Sequence, residues 1–301
     1  MKTLFLAGLC ASLLTACLFD PQKENDWKVR ASGTDHDLYD VAWSGTQAVA
    51  VSYWGEAVTS PDGIHWTVRP TGTSAWLKAV CWTGAAFVAV GRQGTVLTSP
   101  DGIAWTLRIV ADTVVFTDVT WTGTLLIAVG PDGIWTSPDA VAWTARSTGT
   151  PKSLMGVAWA QGHAVAVGAD SLIYTSVDGI TWTGHPSGVP GGLEYVAGNA
   201  TEFLAGQPLT GIMLRSADGI TWTPQDSLGT LLTSAPLWTG SEWVLAGFNK
   251  KGLRIFKSPD GVQWTSSPQS YFNHTVNALA WTGTMLIGVG DYGSIITNQK
   301  P

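Results

Sequence analysis

Six stretches of this chain repeat one pattern: Ser, a variable residue, Asp, a small residue, two variable residues, then Trp-Thr. They fall at residues 60–67, 99–106, 137–144, 176–183, 216–223 and 258–265. In each, Asp stands four residues before Trp: Asp62, Asp101, Asp139, Asp178, Asp218 and Asp260 precede Trp66, Trp105, Trp143, Trp182, Trp222 and Trp264. A period of this length marks a repeat architecture, in which each unit buries a face it cannot bury alone against its neighbour. The 301 residues therefore read as one repeated body following a short N-terminal leader.

Within a repeat the apolar runs are short. In the second, residues 77–82, 86–90, 95–99 and 105–108 are rich in β-branched and aromatic side chains, and Gly, Asp and Pro turns separate them. Such runs are strands of antiparallel hairpins. No stretch sustains a helical period, so almost no helix is expected. The first strand recurs at Trp43, Trp82, Trp121, Trp159, Gly198, Trp238 and Trp281, seven times. The fourth-strand Trp also recurs seven times, but it begins at Trp27, before any first strand, and the chain closes on a third strand at residues 295–298. The simplest closure pairs residues 27–30 with that last strand. The expected fold is an all-β, seven-bladed propeller of four-stranded antiparallel blades spanning 27–301, its ring closed by the N-terminal strand. Closure leaves only short, protected sheet edges. The thirteen Trp at repeat positions are expected to be core residues and the main stabilising contribution, since burying a large apolar side chain is worth about 1.5–3 kcal/mol.

The Ser-x-Asp-Gly…Trp turn resembles the Asp-box of sialidase-like propellers and of the photosystem II assembly-factor family, shortened here by one residue between Asp and Trp. That resemblance implies a propeller; it does not imply a reaction. The turn has a local explanation as well. A carboxylate there accepts backbone N–H bonds, and Gly permits a positive φ. Six such carboxylates on six blades are too far apart to act as one catalytic or metal-binding array, so their role is expected to be structural.

Residues 1–16 read as a signal peptide: Lys2, then an apolar run over 4–14 too short to span a bilayer. The segment 14–17, Leu-Thr-Ala-Cys, resembles the lipobox of bacterial lipoproteins. The resemblance implies that Cys17 carries the lipid, that 17–26 form a tether, and that the mature protein sits in the cell envelope, at the outer membrane if the source is Gram-negative. With Cys10 removed and Cys17 acylated, Cys81 is the remaining thiol, expected to be a small core residue.

A formal net charge of −6 argues against nucleic acid as partner. Arg30, Arg69, Arg108 and Arg146 share one repeat position, three residues after the fourth-strand Trp, and are expected to point to solvent around the rim. They cannot converge on one substrate carboxylate as the sialidase resemblance would require. The few Glu residues form no pair with glycosidase spacing. His36, His65, His163, His185 and His274 are scattered singly, without metal-ligand spacing. The expectation is a protein without catalysis, metal or cofactor.

Binding is the better reading. The turns within the repeated motifs are nearly invariant, whereas the loops joining fourth to first strands and second to third strands vary, and they share one face of a propeller around its channel. Their unusual members are Tyr53, Trp54, Glu56, Trp76, Arg92, Asp132, Asp170, Asn249, Lys250, Asp291 and Tyr292. Aromatic residues off the core positions suit a protein anchor or a sugar. The leading expectation is a platform for a protein partner; the alternative is a glycan-binding or sialidase-like glycan-cleaving surface protein. The fifth repeat diverges most, with Gly198 in place of Trp and Gly206-Gln207-Pro208 after its second strand, which signals either altered packing or a widened pocket mouth.

Overall fold

The computed structural model describes residues 27–146, 153–267 and 272–299; the leader, Cys17 and the tether lie outside them. Seven antiparallel sheets follow one another along the chain. Blade 1 has strands Leu38–Trp43, Ala48–Ser52, Ala57–Ser60 and Thr67–Arg69, termed A to D from first to last. Blades 2 to 5 repeat this order, beginning at Leu77, Asp118, Leu154 and Tyr195. In blade 6 strand A is split: Leu231–Leu232 and Leu237–Trp238 both pair with Trp243–Asn249, because the Ser-Ala-Pro segment at 234–236 interrupts the ladder and Pro236 has no N–H to offer. Among the described residues the helical structure is one 3₁₀ turn, Asp291–Gly293.

Blade 7 takes Val276–Trp281, Met285–Gly290 and Ile295–Gln299 from the end of the chain and Lys28–Arg30 from its beginning. Lys28 pairs with Thr297, Val29 with Ile296 and Arg30 with Ile295. The ring is closed by the N-terminal strand, as the offset between first and fourth strands predicts.

Seven apolar clusters stabilise the ring, one between each pair of neighbouring blades. Strands B and C supply most of the side chains fully removed from water, such as Val49, Ala89, Ile127, Leu97 and Leu214. They are interior to each sheet and covered on both faces by adjoining blades. Here the expectation for tryptophan needs correction. Of the indoles at repeat positions, Trp182 and Trp222 are buried and the rest are half-buried at cluster margins. They sit at strand ends next to turns, so they seal the clusters and the small aliphatic residues fill them. Trp243, which lies off the repeat, is the fully buried indole.

The motif turns show why their residues recur. Asp101 Oδ1 accepts the N–H groups of Ile103 and Ala104 at 2.8 and 3.1 Å, Ser99 Oγ donates to the same oxygen, and Trp105 Nε1 donates to the Gly102 carbonyl at 2.9 Å. The same bonds recur at Asp62, Asp178, Asp218 and Asp260. Asp139 keeps its backbone bonds. There Ala140 occupies the positive-φ position at 60°, and the Trp143 indole N–H finds no acceptor.

The rim arginines also differ from expectation. Arg30, Arg69, Arg108 and Arg146 are half-buried, each donating to a strand C threonine: Thr297, Thr59, Thr98 and Thr136, at 2.8–3.2 Å. Strand D lies beside strand C, so a side chain at this register lies back across the sheet. Cys81 is only partly enclosed, packed against the cluster between blades 2 and 3; burial pushes its thiol pKa well up. In blade 5, a side chain at Gly198 would collide with Ala160 and Phe203, at 2.5 and 2.7 Å from an added Cβ. Ala160 and Phe203 crowd the place of the missing indole, so that substitution is a packing exchange.

Candidate functional site

The A strands of neighbouring blades touch around the whole ring, so they line its central channel. Residues at or just before the start of the A strands face the channel mouth on the variable-loop side, where Tyr39, Lys78, Thr117, Met155, Glu194, Thr233 and Asn277 surround an opening of about 250 Å³. One layer deeper stand Asp40 and Asp118. Asp40 accepts the N–H of Val41 and, across the blade boundary, of Val80, both at 2.8 Å. Asp118 does the same with Val119 and Val157, at 2.7 and 2.8 Å. Each carboxylate thus ties its blade to the next. Both touch the channel and retain some exposure, yet protein surrounds them. Burial raises both pKa values to about 7, against the lowering effect of the N–H bonds.

On the variable-loop face the structure brings four of the expected residues together. Tyr53 lies 4.6 Å from Trp76 and 5.9 Å from Trp54 between ring centroids, and the Arg92 guanidinium sits 4.0 Å from the Trp76 ring. Two residues that the sequence reading passed over complete the group. Tyr39 packs 5.3 Å from Trp76. Lys78 Nζ lies 3.8 Å from the Trp76 ring and 4.2 Å from Tyr39. Trp54 is 53% exposed and Tyr53 40%, so the shelf presents aromatic surface to solvent.

The shelf is held rigidly. Gly55 has a φ of 74°, and an added Cβ would come within 2.4 Å of the Thr73 carbonyl; only glycine lets the 53–56 loop press so closely on its neighbour. Thr71 Oγ1 donates to the Gly55 carbonyl. Gly91 meets a similar constraint beside the Trp76 carbonyl, 2.1 Å from an added Cβ, and the Arg92 N–H donates to that carbonyl at 2.9 Å.

Glu56 lies beneath the shelf, accepting from Thr34 Oγ1 at 3.0 Å and contacting His36 Nδ1 at 2.9 Å, and His36 in turn stacks near Trp54. Asp291 and Tyr292 adjoin it from blade 7. Asp291 accepts from Thr275 Oγ1 and from Asn277 Nδ2. Tyr292 has a φ of 55° and is 70% exposed. Its N–H donates to Asp37 at 2.8 Å, while the Asp37 carbonyl accepts the Tyr53 N–H. The blade 7 loop is thereby joined to the shelf. Asp132 and Asp170 stand apart: Asp132 accepts the Val115 N–H at 3.3 Å, and Asp170 lies near the Leu172 N–H and the Tyr174 hydroxyl. Asn249 accepts the Lys251 N–H in its own turn, and Lys250 shares that blade 6 loop.

Electrostatics divide the face. Burial pushes the Tyr39 phenol up to about 12, with Asp37 and Asp291 adding to it. Burial, and then the neighbouring Arg92, pull Lys78 down to about 8. Burial raises the Glu194 carboxyl across the mouth. Among the described residues no cluster of three or more His, Cys, Asp or Glu side chains could hold a metal ion. A separate apolar groove of about 360 Å³ lies beside blade 5, between Pro190, Leu193, Pro208 and Leu209. The fifth repeat therefore combines a packing exchange at one end with an opening at the other.

No protein-family model matches the chain, and no curated protein matches it in sequence. Solved structures do match in shape. One titled "YCF48 bound to D1 peptide" superposes with a TM-score of 0.75 at 16% identity, covering 92% of this chain and 96% of that one. YCF48 from Cyanidioschyzon merolae gives 0.71 at 16% identity, over 91% and 98%. The WD40 propeller domain of Doa1 gives 0.71 at 12% identity, over 91% and 97%. At such identities the likeness is one of fold: the chain is a seven-bladed β-propeller.

Proposed function

We propose that this chain is a non-catalytic bacterial envelope lipoprotein, anchored through Cys17, whose propeller holds a protein partner at the variable-loop face. The observation that carries the reading is the aromatic shelf of Tyr39, Tyr53, Trp54 and Trp76 beside the channel mouth. Exposed rings on a braced frame supply contact area at little ordering cost, the usual property of protein anchors. A propeller of the same shape has a peptide bound. The leader and its lipobox-like end support the envelope assignment, and the regular Asp turns support reading the repeat as a shortened Asp-box. The same rings also suit sugar stacking, which favours a glycan as the second reading.

The test is site-specific photo-crosslinking in cells from position 53 or 292, followed by reconstitution of the captured protein with the purified full-length chain. Capture of one defined protein, lost in Trp54→Ala with folding intact, supports the platform. Binding on a glycan array with no protein captured replaces it by the glycan reading. Labelled palmitate incorporated by the native chain and not by Cys17→Ala tests the anchor.

A further inference from the structure

Lys78 and Arg92 contact the same indole, Trp76, with their charged groups 3.8 and 4.0 Å from its ring. Two like charges held at one ring repel each other. Glu194 attracts Lys78 across the mouth without forming an ion pair with it; the other acids of this face are engaged elsewhere: Asp291 by Thr275 and Asn277, Asp37 by the Tyr292 N–H, Glu56 by Thr34 and His36. Among the described residues no acceptor bonds the Lys78 ammonium or the Arg92 guanidinium, and no carboxylate lies within ion-pair distance of either. The indole N–H of Trp76, the ring they share, likewise finds no acceptor.

We propose that Lys78 and Arg92 together form an anion site for a single carboxylate of a bound protein segment, whose adjoining apolar side chain lies on the Tyr53–Trp54–Trp76 shelf. This proposal rests on the platform reading above and names the chemistry of its ligand. Three observations choose a carboxylate monoanion on a peptide. The shelf joins the cations directly through Trp76, so the anion must belong to a ligand that also carries apolar surface. The mouth beside Lys78 offers about 250 Å³, room for a side chain or a chain end. Glu194 faces Lys78, and Asp37 and Asp291 act on the adjoining Tyr39, within a chain of net charge −6; this field repels polyanions but tolerates one charge paired with two donors. Arginine and lysine beside a desolvating aromatic surface form charge-assisted bonds stronger than they would make in open water.

The test is calorimetric titration of the full-length chain with three short peptides: acetyl-Leu-Asp-Phe-amide, its Asn counterpart, and acetyl-Leu-Phe with a free C-terminal carboxylate. The expected result is that at least one carboxylate peptide binds about tenfold or more tightly than the amide control. That preference is lost in Lys78→Gln and in Arg92→Gln, while both variants keep the native melting temperature, and it shrinks as salt is raised. The peptide that wins tells a side-chain carboxylate from a chain end. Equal binding of acid and amide overturns the anion site and leaves the platform standing. Binding of a sialylated trisaccharide in place of the peptides, or no binding by any peptide, overturns the proposal; the cellular crosslinking then decides the platform separately.

Discussion

Replacing Trp27 with alanine attacks the ring at its noncovalent seam. Trp27 is half-buried against a cluster that includes Val276, Leu279 and Ile296. It leads into a strand held to the last blade by three residue pairs and by the Arg30 Nε–Thr297 Oγ1 bond of 2.9 Å. Truncating a fully buried aromatic side chain costs about 3–5 kcal/mol, so a half-buried indole is worth about 2 kcal/mol. A domain of this size loses about 2–4 °C per kcal/mol, which places the expected fall in melting temperature near 4–8 °C. Trp105→Ala is the matched control: a half-buried indole at the same repeat position, whose strand is tethered covalently to both its neighbours. Both variants should melt earlier. Only Trp27→Ala should also speed hydrogen exchange at the amides of Ile295–Gln299 and raise self-association, because the freed edge of the last blade then offers unpaired backbone groups. Melting within 1 °C of the native chain, or unchanged exchange across that strand, would refute closure by the first strand.

Three other outcomes follow from the geometry. Glu202, buried in the A–B turn of blade 5, accepts the Trp243 indole N–H at 2.7 Å and pairs with Arg215; Glu202→Gln should cost about 2–3 kcal/mol in denaturant unfolding, since it removes a charged acceptor from two donors. Asp178, with the Thr181 and Ile180 N–H groups on its carboxylate, has its pKa lowered to about 2. Its contribution is therefore present above about pH 4 and lost as pH falls toward 2, so Asp178→Asn should be less stable at pH 6 and approach the native chain near pH 2 in acid-melting curves. Asp40 has the opposite sign: with its pKa raised to about 7 by burial, it favours the fold below about pH 4 and loses that contribution as pH rises through 7. A carboxyl carbon resonance titrating near 7 would bear this out, and one titrating near 4 would show that channel water solvates it freely.

Much of the fold was legible in the chain because its signals are local. Each Asp-Gly turn satisfies its own N–H groups within five residues, so repetition of the turn reports repetition of the blade. Val-Gly at the end of strand B repeats because Gly91, Gly130, Gly168 and Gly290 each lie against a backbone carbonyl of their own blade, those of Trp76, Val115, Ser153 and Thr275. The arginine position is not legible locally because its partner lies on the neighbouring strand: Arg108 reaches Thr98, a relation set by register. Size suggests burial for every repeat tryptophan, whereas Phe203 and Trp243 show that space between blades is filled case by case. The loop residues stand out by departing from the repeat, and by the same criterion Tyr39, Lys78, Glu194 and Asn277 stand out at or just before the start of strand A.

What the amino-acid order determined alone is the number of blades and the offset that makes the first strand the last blade's fourth, since both depend on short-range turn chemistry and on counting. What only the tertiary structure decided is which variable residues meet. Asp37 reaches Tyr292 across 255 positions of sequence, and Lys78 reaches Tyr39 across a blade boundary. Those contacts arise from closing the ring, and no local preference encodes them.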